Sequence, residues 1–323
     1  MPDSRLHSEA VKEKIAQAKN ITILTHLNPD ADTIGTGLGI YNLLSRDKSK
    51  RVEIVNASNM LPKYLDFLPG FEKIKHKMDF ETSLIIACDC GSLDRLGFDL
   101  ENRDIINIDH HNSNAYYGSI NVVIAEYASA SQVAFALFRT LYDIDAGTAN
   151  CFYAALLSDT RYFTTSSVNK EVFDVTKTLV ALGANPAKIA FHFTQRRSLS
   201  SLRILHKALG NLELTCDARV ATLFVTEDDI AATGATMPDM EGIVDYARSL
   251  VTVEIALFAM ELDNGIRISL RSKGADVSAL AALFGGGGHK VAAGLTLDKR
   301  DLHETIDIMT KNIQKLGLLN GKK

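Results

Sequence analysis

Short apolar runs rich in β-branched residues recur through the first half of the chain and predict strands. They are ITILTH (21–26), RVEIVNA (51–57), SLIIACD (83–89) and DIINIDH (104–110). Apolar residues at helical spacing predict helices over 8–19, 33–46, 128–143, 147–159 and 169–183. Continuous apolar strands separated by helices are typical of a parallel sheet with helices on both faces. We therefore predict an α/β fold class and an α/β domain over residues 1–188.

The pattern changes after a basic stretch at 189–210, whose apolar spacing predicts a helical linker. We interpret its basic residues as a solvated helix face rather than a binding surface. Beyond it, residues 211–226 predict one hairpin, and residues 252–273 predict a second one with Asp263-Asn264-Gly265 as its turn. Strands with interspersed helices and no strict alternation favour a smaller α+β domain over residues 211–323.

Composition limits the class of protein. The 323 residues suggest about two domains of roughly 150 residues each. A net charge of −4 argues against a basic surface that holds long duplex DNA, and leaves room for a small anionic ligand. The polar N-terminus has no signal-like apolar segment, and no apolar run approaches the ~18 residues of a membrane span. The four cysteines form no CxxC pair, so we expect reduced thiols in a cytoplasmic protein.

Acidic and imidazole side chains follow several of the apolar runs. The relevant segments are THLNPDAD with Asp30 and Asp32, ACDCG with Asp89, IDHHNSN with Asp109, His110 and His111, and LLSDTRYF with Asp159. Functional groups of open α/β sheets collect at the carboxyl ends of the strands. Carboxylates gathered there would repel one another without cations. We therefore predict two divalent ions, and the mixture of imidazole and carboxylate ligands favours Mn²⁺.

A structural role for each acidic residue is the alternative. A single Asp after a strand is commonly a helix cap or a turn former, and Asp32 could simply cap the helix predicted from residue 33. The joint occurrence of these sites within the first 160 residues argues against a purely structural set. Two metals about 3.5–4 Å apart are suited to phosphoester hydrolysis.

The motifs resemble a known family. THLNPDAD, ACDCGSLDRLG, IDHHNSN and LLSDTRYF resemble, in order and spacing, the four motifs of the DHH phosphoesterase superfamily. The segment LRSKGADVSALAALFGGGGHKVAAG resembles the C-terminal domain associated with many of those enzymes. The two-domain length looks like the nanoRNase/pAp-phosphatase subfamily. RecJ-type chains are usually longer, and family II pyrophosphatases lack the glycine-rich segment.

The resemblance implies a role for each motif residue. His26 and Asp30 would hold one metal, Asp32, His110 and Asp159 would hold the other, and Asp89 would bridge them. A water activated by both metals would be the nucleophile. His111 would contact the scissile phosphate or assist proton transfer, and Asp109 would orient an imidazole. The substrate-binding residues would be Arg271, Gly286, Gly287, Gly288 and His289, with Arg95 also reaching the phosphate.

Two glycine-rich segments have separate interpretations. Four consecutive glycines at 285–288 are unfavourable inside a helix or strand, but they let backbone N–H groups approach an anion closely. Gly35, Gly37 and Gly39 lack the flanking residues of a nucleotide-binding loop, so we expect them to let a helix pack close to the sheet.

The functional prediction is a Mn²⁺-dependent phosphoesterase. It would hydrolyse short oligoribonucleotides to mononucleotides, or 3′-phosphoadenosine 5′-phosphate (pAp) to AMP, or both. One alternative is a phosphodiesterase of linear or cyclic dinucleotide messengers, and another is a nucleotide- or RNA-binding module without turnover. The expected partners are these small substrates, with no membrane and with a second copy of the chain in a homodimer.

Overall fold

A computed structural model describes residues 4–298 and 301–319, which form two compact units divided between Arg196 and Arg197. Parts of the predicted domains, namely residues 1–3, 299–300 and 320–323, lie outside the described residues. The segment 189–210, predicted as a helical linker, contains most of one helix of the first unit and a whole helix of the second. No described helix is both long enough and apolar enough to cross a membrane.

The first unit is built on a parallel sheet. Its strands are β1 (Asn20–Thr25), β2 (Arg51–Asn56), β3 (Ile74–Lys75), β4 (Leu84–Cys88), β5 (Ile105–Asp109) and β6 (Ile120–Val123). Its helices are α1 (Ser8–Gln17), α2 (Ala31–Leu44), α3 (Ala130–Phe138), α4 (Ala146–Asp159), α5 (Lys170–Ala181) and α6 (Pro186–Thr194). The strand order is β3-β2-β1-β4-β5-β6, and every neighbouring pair is parallel. The predicted α/β class is confirmed.

The two faces of this sheet are covered differently. Ile23 and Ile86 face a large apolar core that includes residues of all six helices. Leu24 and Ile85 face the opposite way, into a smaller cluster formed by the 3-10 helix Leu93–Leu96 and the loops around it. The strand order reverses between β1 and β4, which is where open α/β sheets form a crevice at the strand carboxyl ends.

Helix α2 approaches its neighbours closely through its glycines. A Cβ on Gly37 would lie 2.9 Å from Thr25 Cγ2 of the sheet, as the sequence pattern predicted. Gly39 faces helix α4 instead, and a Cβ there would lie 2.3 Å from Phe152 Cε1. Gly35 also faces α4, where a Cβ would lie 2.7 Å from the Cys151 carbonyl oxygen. These glycines therefore set the separation of two helices as well as that of a helix and the sheet.

The second unit is a mixed sheet between helices. Its strands are β7 (Glu213–Thr215), β8 (Val220–Val225), β9 (Ile255–Leu262), β10 (Gly265–Ser272), β11 (Gly287–His289) and β12 (Ala292–Leu297). Its helices are α7 (Leu199–Gly210), α8 (Glu227–Thr233), α9 (Ile243–Arg248), α10 (Val277–Ala282) and α11 (Leu302–Lys315). The order is β11-β12-β10-β9-β8-β7, with only the β8–β9 pair parallel among the described pairs. Both predicted hairpins are present, and the α+β interpretation of this unit is confirmed.

The glycine-rich segment contains a short strand, contrary to the expectation from composition. Gly287 and Gly288 belong to β11, which pairs with β12. A Cβ on Gly288 would lie 2.5 Å from the Ala292 carbonyl oxygen, and its φ is +143°. A Cβ on Gly286 would lie 2.3 Å from the Gly294 carbonyl oxygen. The close approach that these glycines permit is therefore, in the first place, an approach to the neighbouring strand.

Candidate metal centre

The carboxyl ends of three strands and the ends of two helices meet at the crevice of the first sheet. His26 directly follows β1, Asp89 directly follows β4, and His110 directly follows β5. Asp32 lies in the first turn of α2, and Asp159 is the last residue of α4. The fold thus brings together side chains that are up to 133 positions apart in sequence (159 − 26).

The first group of side chains consists of His26, Asp30 and Asp89, whose ligand atoms lie within 4.8 Å of one another. His26 Nε2 lies 3.8 Å from Asp30 Oδ1 and 3.7 Å from Asp89 Oδ2. His26 Nδ1 lies 2.8 Å from the carbonyl oxygen of Leu27. Because a carbonyl can only accept, this contact favours a proton on Nδ1 and leaves the Nε2 lone pair facing the carboxylates.

The second group consists of Asp32, His110 and Asp159. His110 Nε2 lies 3.8 Å from Asp32 Oδ2 and 3.5 Å from Asp159 Oδ2. His110 Nδ1 lies 3.1 Å from the Tyr127 carbonyl oxygen, so this ring also presents Nε2 to the carboxylates. The six residues predicted as metal ligands therefore lie together in two groups.

Asp89 is the member that contacts both groups. Its Oδ2 faces His26, while its Oδ1 lies 3.6 Å from His110 Nε2. Among the described residues, Asp89 Oδ1 is one of few buried side-chain oxygens without a hydrogen-bond partner. Two ligand atoms each about 2.1 Å from an ion lie roughly 3–3.5 Å apart. The observed spacings of 3.5–3.8 Å are too long for hydrogen bonds and slightly wider than this ligand–ligand spacing, so the donor set fits metal ions after small side-chain movements.

The electrostatics of the metal-free groups also favour cations. Burial, followed by repulsion from neighbouring carboxylates, raises the pKa of Asp89 and the pKa of Asp159 well above their usual range. Burial raises the pKa of Asp32 in the same direction. The pKa of Asp30 is lowered, because its contact with His26 outweighs the opposing effect of burial. Three of the four carboxyls therefore hold their charge at a cost that positive charge would remove.

Asp30 and Asp32 have structural roles in addition to their position in these groups. Asp30, rather than Asp32, is the N-cap of α2, and its Oδ1 accepts from the backbone N–H groups of Asp32 and Thr33. Asp32 accepts from the backbone N–H of Ala130, at 2.7 Å, at the N-terminus of α3. The alternative interpretation of capping is thus correct for Asp30, and capping leaves its carboxylate facing His26.

His111 contacts a different set of partners. Its Nδ1 lies 2.7 Å from Asp109 Oδ1 and 3.5 Å from Asp89 Oδ1. Asp109 is fully buried and also accepts from the side-chain amide of Asn114 at 2.5 Å. These contacts hold Nδ1 of His111 against Asp109. Asp89, His110 and His111 form a third group that could hold an ion, which the sequence did not predict.

Two guanidinium groups border the centre. Arg95, predicted from the sequence, has Nη2 3.4 Å from His26 Nδ1. Arg161, which the sequence analysis did not single out, acts on Asp159 by lowering its pKa against the larger effect of burial. The sequence feature that could have identified Arg161 is its position two residues after Asp159, a predicted ligand at the end of a predicted helix.

The remaining predicted residues lie in the second unit. Arg271 is in β10, where its Nη1 donates to the carbonyl oxygen of Leu270. Gly286 precedes β11, and Gly287, Gly288 and His289 form it. Arg271 is paired with Ala292 across the sheet, and His289 is paired with the same residue from the other side. Arg271 and His289 therefore lie in register across β12.

Comparison with family models assigns both units. Residues 20–158 match the DHH family, N-terminal domain, and residues 204–315 match the DHHA1 domain. The bifunctional oligoribonuclease and PAP phosphatase NrnA of Thermus thermophilus is 28% identical over 317 residues, covering 96% of this chain and 93% of that protein. The cyclic-di-AMP phosphodiesterase PdeA of Listeria monocytogenes is 26% identical and matches over 88% of this chain and 46% of its own length.

A solved structure has the same architecture over the whole length. The crystal structure of an exopolyphosphatase-related protein from Bacteroides fragilis superposes with a TM-score of 0.88 at 26% identity, covering 97% of both chains. The two family models account for the sheet that carries the acidic crevice and for the unit that carries the glycine-rich segment. The chain therefore carries an N-terminal DHH domain followed by a DHHA1 domain.

Proposed function

We propose that this chain is a metal-dependent hydrolase of nucleotide phosphoesters, acting on short oligoribonucleotides, on pAp, or on both. The observation that carries the proposal is the pair of ligand groups that Asp89 contacts through its two oxygens. Relatives whose names include oligoribonuclease and PAP phosphatase match almost the full chain, which supports the choice of substrates.

His26, Asp30 and Asp89 would hold one ion, and Asp32, His110 and Asp159, with the second oxygen of Asp89, would hold the other. Imidazole with carboxylate ligands suits Mn²⁺ better than Ca²⁺. When bound, such ions supply an acidified water as nucleophile and neutralise charge on the phosphoryl oxygens.

The protein groups around the ions have separate tasks. The carbonyl oxygens of Leu27 and Tyr127 hold His26 and His110 with Nε2 facing the carboxylates. Asp109 orients His111 through the contact with Nδ1. The His111 ring would then contact the scissile phosphate or assist proton transfer during hydrolysis. Arg95 would add a positive charge for the phosphoryl oxygens on the His26 side.

The DHHA1 unit would hold the part of the substrate that does not react. Arg271 and His289 lie in register on the two strands that flank β12, with their backbones about 10 Å apart by strand spacing. A guanidinium can bind a terminal phosphate through two parallel hydrogen bonds. We therefore assign Arg271, His289 and the backbone of Gly286, Gly287 and Gly288 to the substrate's non-reacting end.

Dinucleotide messengers are the second candidate substrates. A cyclic-di-AMP phosphodiesterase matches 88% of this chain, so pApA, pGpG and cyclic di-AMP should also be tested as substrates. These compounds contain the same phosphodiester and the same bases, so the metal centre alone does not separate them from short RNA.

The test is release of products by the purified full chain. pAp, a labelled RNA dinucleotide and the three messengers are incubated in parallel with Mn²⁺, Mg²⁺ or EDTA. We expect Mn²⁺-dependent release of AMP or mononucleotides, and the relative rates then rank the substrates. Turnover that persists in EDTA contradicts metal dependence, and tight nucleotide binding without any product supports a binding module instead.

Asp89→Ala is the decisive variant, and Asp94→Asn is its matched control. Asp94 is an exposed acidic residue in the same motif and belongs to none of the groups of possible metal ligands. We expect Asp89→Ala to abolish turnover and Asp94→Asn to retain it. An active Asp89→Ala protein would contradict the two-metal mechanism.

A further inference from the structure

Strand β5 carries two polar side chains on one buried face. Ile106 and Ile108 belong to the large apolar core, so Asn107 and Asp109 lie on the opposite face of the strand. Both are fully buried. A buried polar group is unfavourable unless it is hydrogen-bonded, and an apolar residue could fill the position of Asn107 without that cost. The pair therefore indicates a role for these side chains beyond packing.

The side chain of Asn114 contacts both of these residues. Its Nδ2 lies 2.5 Å from Asp109 Oδ2, and its Oδ1 accepts from Asn107 Nδ2 at 2.9 Å. The backbone N–H of Tyr116 donates to the same Oδ1 at 2.7 Å. Because a backbone N–H can only donate, its partner must be the amide oxygen, and Nδ2 is then the atom that faces Asp109.

Asn114 also contacts the segment that carries Asp89. Its Nδ2 donates to the carbonyl oxygen of Cys90 at 3.3 Å, and Cys90 directly follows Asp89. The Tyr117 hydroxyl donates to the same carbonyl oxygen at 2.9 Å. Two side chains of the loop after β5 therefore hold the backbone next to Asp89. Of these two, Asn114 is the one that also donates to Asp109.

Asp109 in turn holds His111. Its Oδ1 lies 2.7 Å from His111 Nδ1 and accepts from the backbone N–H of His110 at 2.8 Å, while its Oδ2 faces Asn114. The terminal torsion of an aspartate is soft, so hydrogen bonds at both oxygens are what fix the plane of the carboxylate. His111 Nδ1 also lies 3.5 Å from Asp89 Oδ1. The amide of Asn114 thus holds the carboxylate that His111 contacts.

We propose that Asn114 is a positioning residue for hydrolysis, which holds Asp109 so that His111 keeps its orientation beside Asp89. This inference rests on the proposed function and adds a residue outside the three groups of possible metal ligands. Hydrogen bonds that orient the residues of a metal site are typically worth about 10–100-fold in affinity or activity. Since Asn114 would act through Asp109 and His111, its loss should slow the chemical step more than it weakens substrate binding.

Kinetics of Asn114→Ala test this role. We expect kcat for pAp to fall about 10–100-fold, with KM within about twofold of the wild-type value. Mn²⁺ affinity, measured by calorimetry, should stay near that of the wild type, because every proposed ligand residue remains. An Asn114→Ala protein with wild-type kcat overturns the proposal.

Tyr117→Phe is the matched control. It removes the other side-chain donor to the Cys90 carbonyl oxygen and leaves the contact between Asn114 and Asp109 in place. We expect a lower Tm and a kcat near the wild-type value. If kcat falls as far as in Asn114→Ala, the effect comes from binding the two loops together, and the positioning role is overturned.

A second background separates positioning from a general effect on the fold. If Asn114 acts through His111, Asn114→Ala should lower kcat much less in His111→Ala than in the wild type, because residues of one network are not additive. Equal factors in both backgrounds overturn the proposal. A wild-type chain that releases no product contradicts the proposed function itself, whereas wild-type turnover with equal factors contradicts the role of Asn114 alone.

Hydrogen exchange in the wild type supplies a measurement that needs no variant to fold. The side-chain amide protons of Asn114 should exchange with solvent far more slowly than those of Asn112, which is exposed in the same loop. Slow exchange at Asn114 alone supports a held amide. Equally fast exchange at both positions would show that the amide is not held against Asp109 and would overturn the proposal.

Discussion

The side chain of Asp89 is buried, lies at a left-handed backbone position with φ +54°, and faces other carboxylates. Each of these conditions is unfavourable for a charged residue in the metal-free protein. In this conformation, however, the two oxygens of Asp89 face different imidazoles, those of His26 and His110. Such an arrangement lowers the stability of the metal-free chain and favours the binding of cations.

This trade predicts a pH dependence of stability. The folded-state pKa values of Asp89, Asp159 and Asp32 are raised, while unfolded carboxyls titrate near about 4. Above that pH the folded chain binds more protons than the unfolded chain, so stability falls as pH rises through the folded pKa values. In EDTA, the Tm of the wild type should fall from about pH 5 to about pH 8, and it should fall less in Asp89→Asn.

The wild type and Asp89→Asn should also differ in how much bound metal stabilises them. Saturating Mn²⁺ should stabilise the wild type by about 2–4 kcal/mol and Asp89→Asn by much less, since binding to the folded state alone raises stability. If Tm falls equally with pH in the two proteins in EDTA, or if Mn²⁺ stabilises both equally, Asp89 is not the shared ligand.

The residues of the centre were predictable because each follows an apolar run, but their secondary contacts were not. Nothing in the spacing of THLNPDAD shows that Asp30 caps α2 or that Asp32 accepts from the N-terminus of α3. The left-handed turn formed by Arg161, Tyr162 and Phe163, with φ values of +46°, +59° and +63°, was missed for a related reason. Non-glycine residues give no sequence signal for positive φ, so DTRYF reads as an ordinary helix end.

Helices α2 and α4 are the elements that bring the second ligand group together. Asp32 lies on the former and Asp159 on the latter, while Gly35 and Gly39 let the two helices approach. The sequence indicated close packing of this helix, yet it assigned all three glycines to the sheet. Which neighbour each glycine faces depends on how the helix is rotated about its axis. Helix α2 is buried on nearly all sides, so its sequence gives little information about that rotation.

Gly39→Ala should therefore affect both stability and metal binding. The new Cβ would lie 2.3 Å from Phe152 Cε1, so the helices must separate or the ring must move. Overpacking of this kind costs about 1–3 kcal/mol. We expect a lower Tm and weaker Mn²⁺ binding, measured by thermal unfolding and calorimetry.

Gly210→Ala is the matched control for this change. Gly210 ends α7, and a Cβ there meets nothing within 4 Å. Alanine is the better helix former, so the control should be neutral or slightly stabilised. If Gly39→Ala behaves like the control, helix separation does not set the geometry of the ligand group.

Under the proposed function, the two units have different tasks. All six metal-ligand candidates belong to the DHH unit, and the predicted phosphate-binding residues Arg271 and His289 belong to the DHHA1 unit. The two-domain organisation was predictable from the change in hydrophobic pattern. The strand formed by Gly287–His289 was not, because four glycines carry no strand propensity of their own.

This division predicts that substrate binding can be weakened without affecting the metals. Arg271→Ala should raise KM for pAp by roughly ten- to a hundredfold, the effect of losing hydrogen bonds to a charged group. Mn²⁺ affinity should not change. Arg267→Ala, an exposed arginine four residues earlier on the same strand, should leave KM near the wild-type value. A loss of Mn²⁺ binding in Arg271→Ala would contradict the division of tasks.

Anomalous scattering at the manganese edge would show whether two ions share Asp89. Crystals of the full chain would be grown with Mn²⁺. We expect two peaks, one among His26, Asp30 and Asp89 and one among Asp32, His110 and Asp159, each within coordination distance of an Asp89 oxygen. A single peak, or two peaks of which one does not contact Asp89, would contradict it.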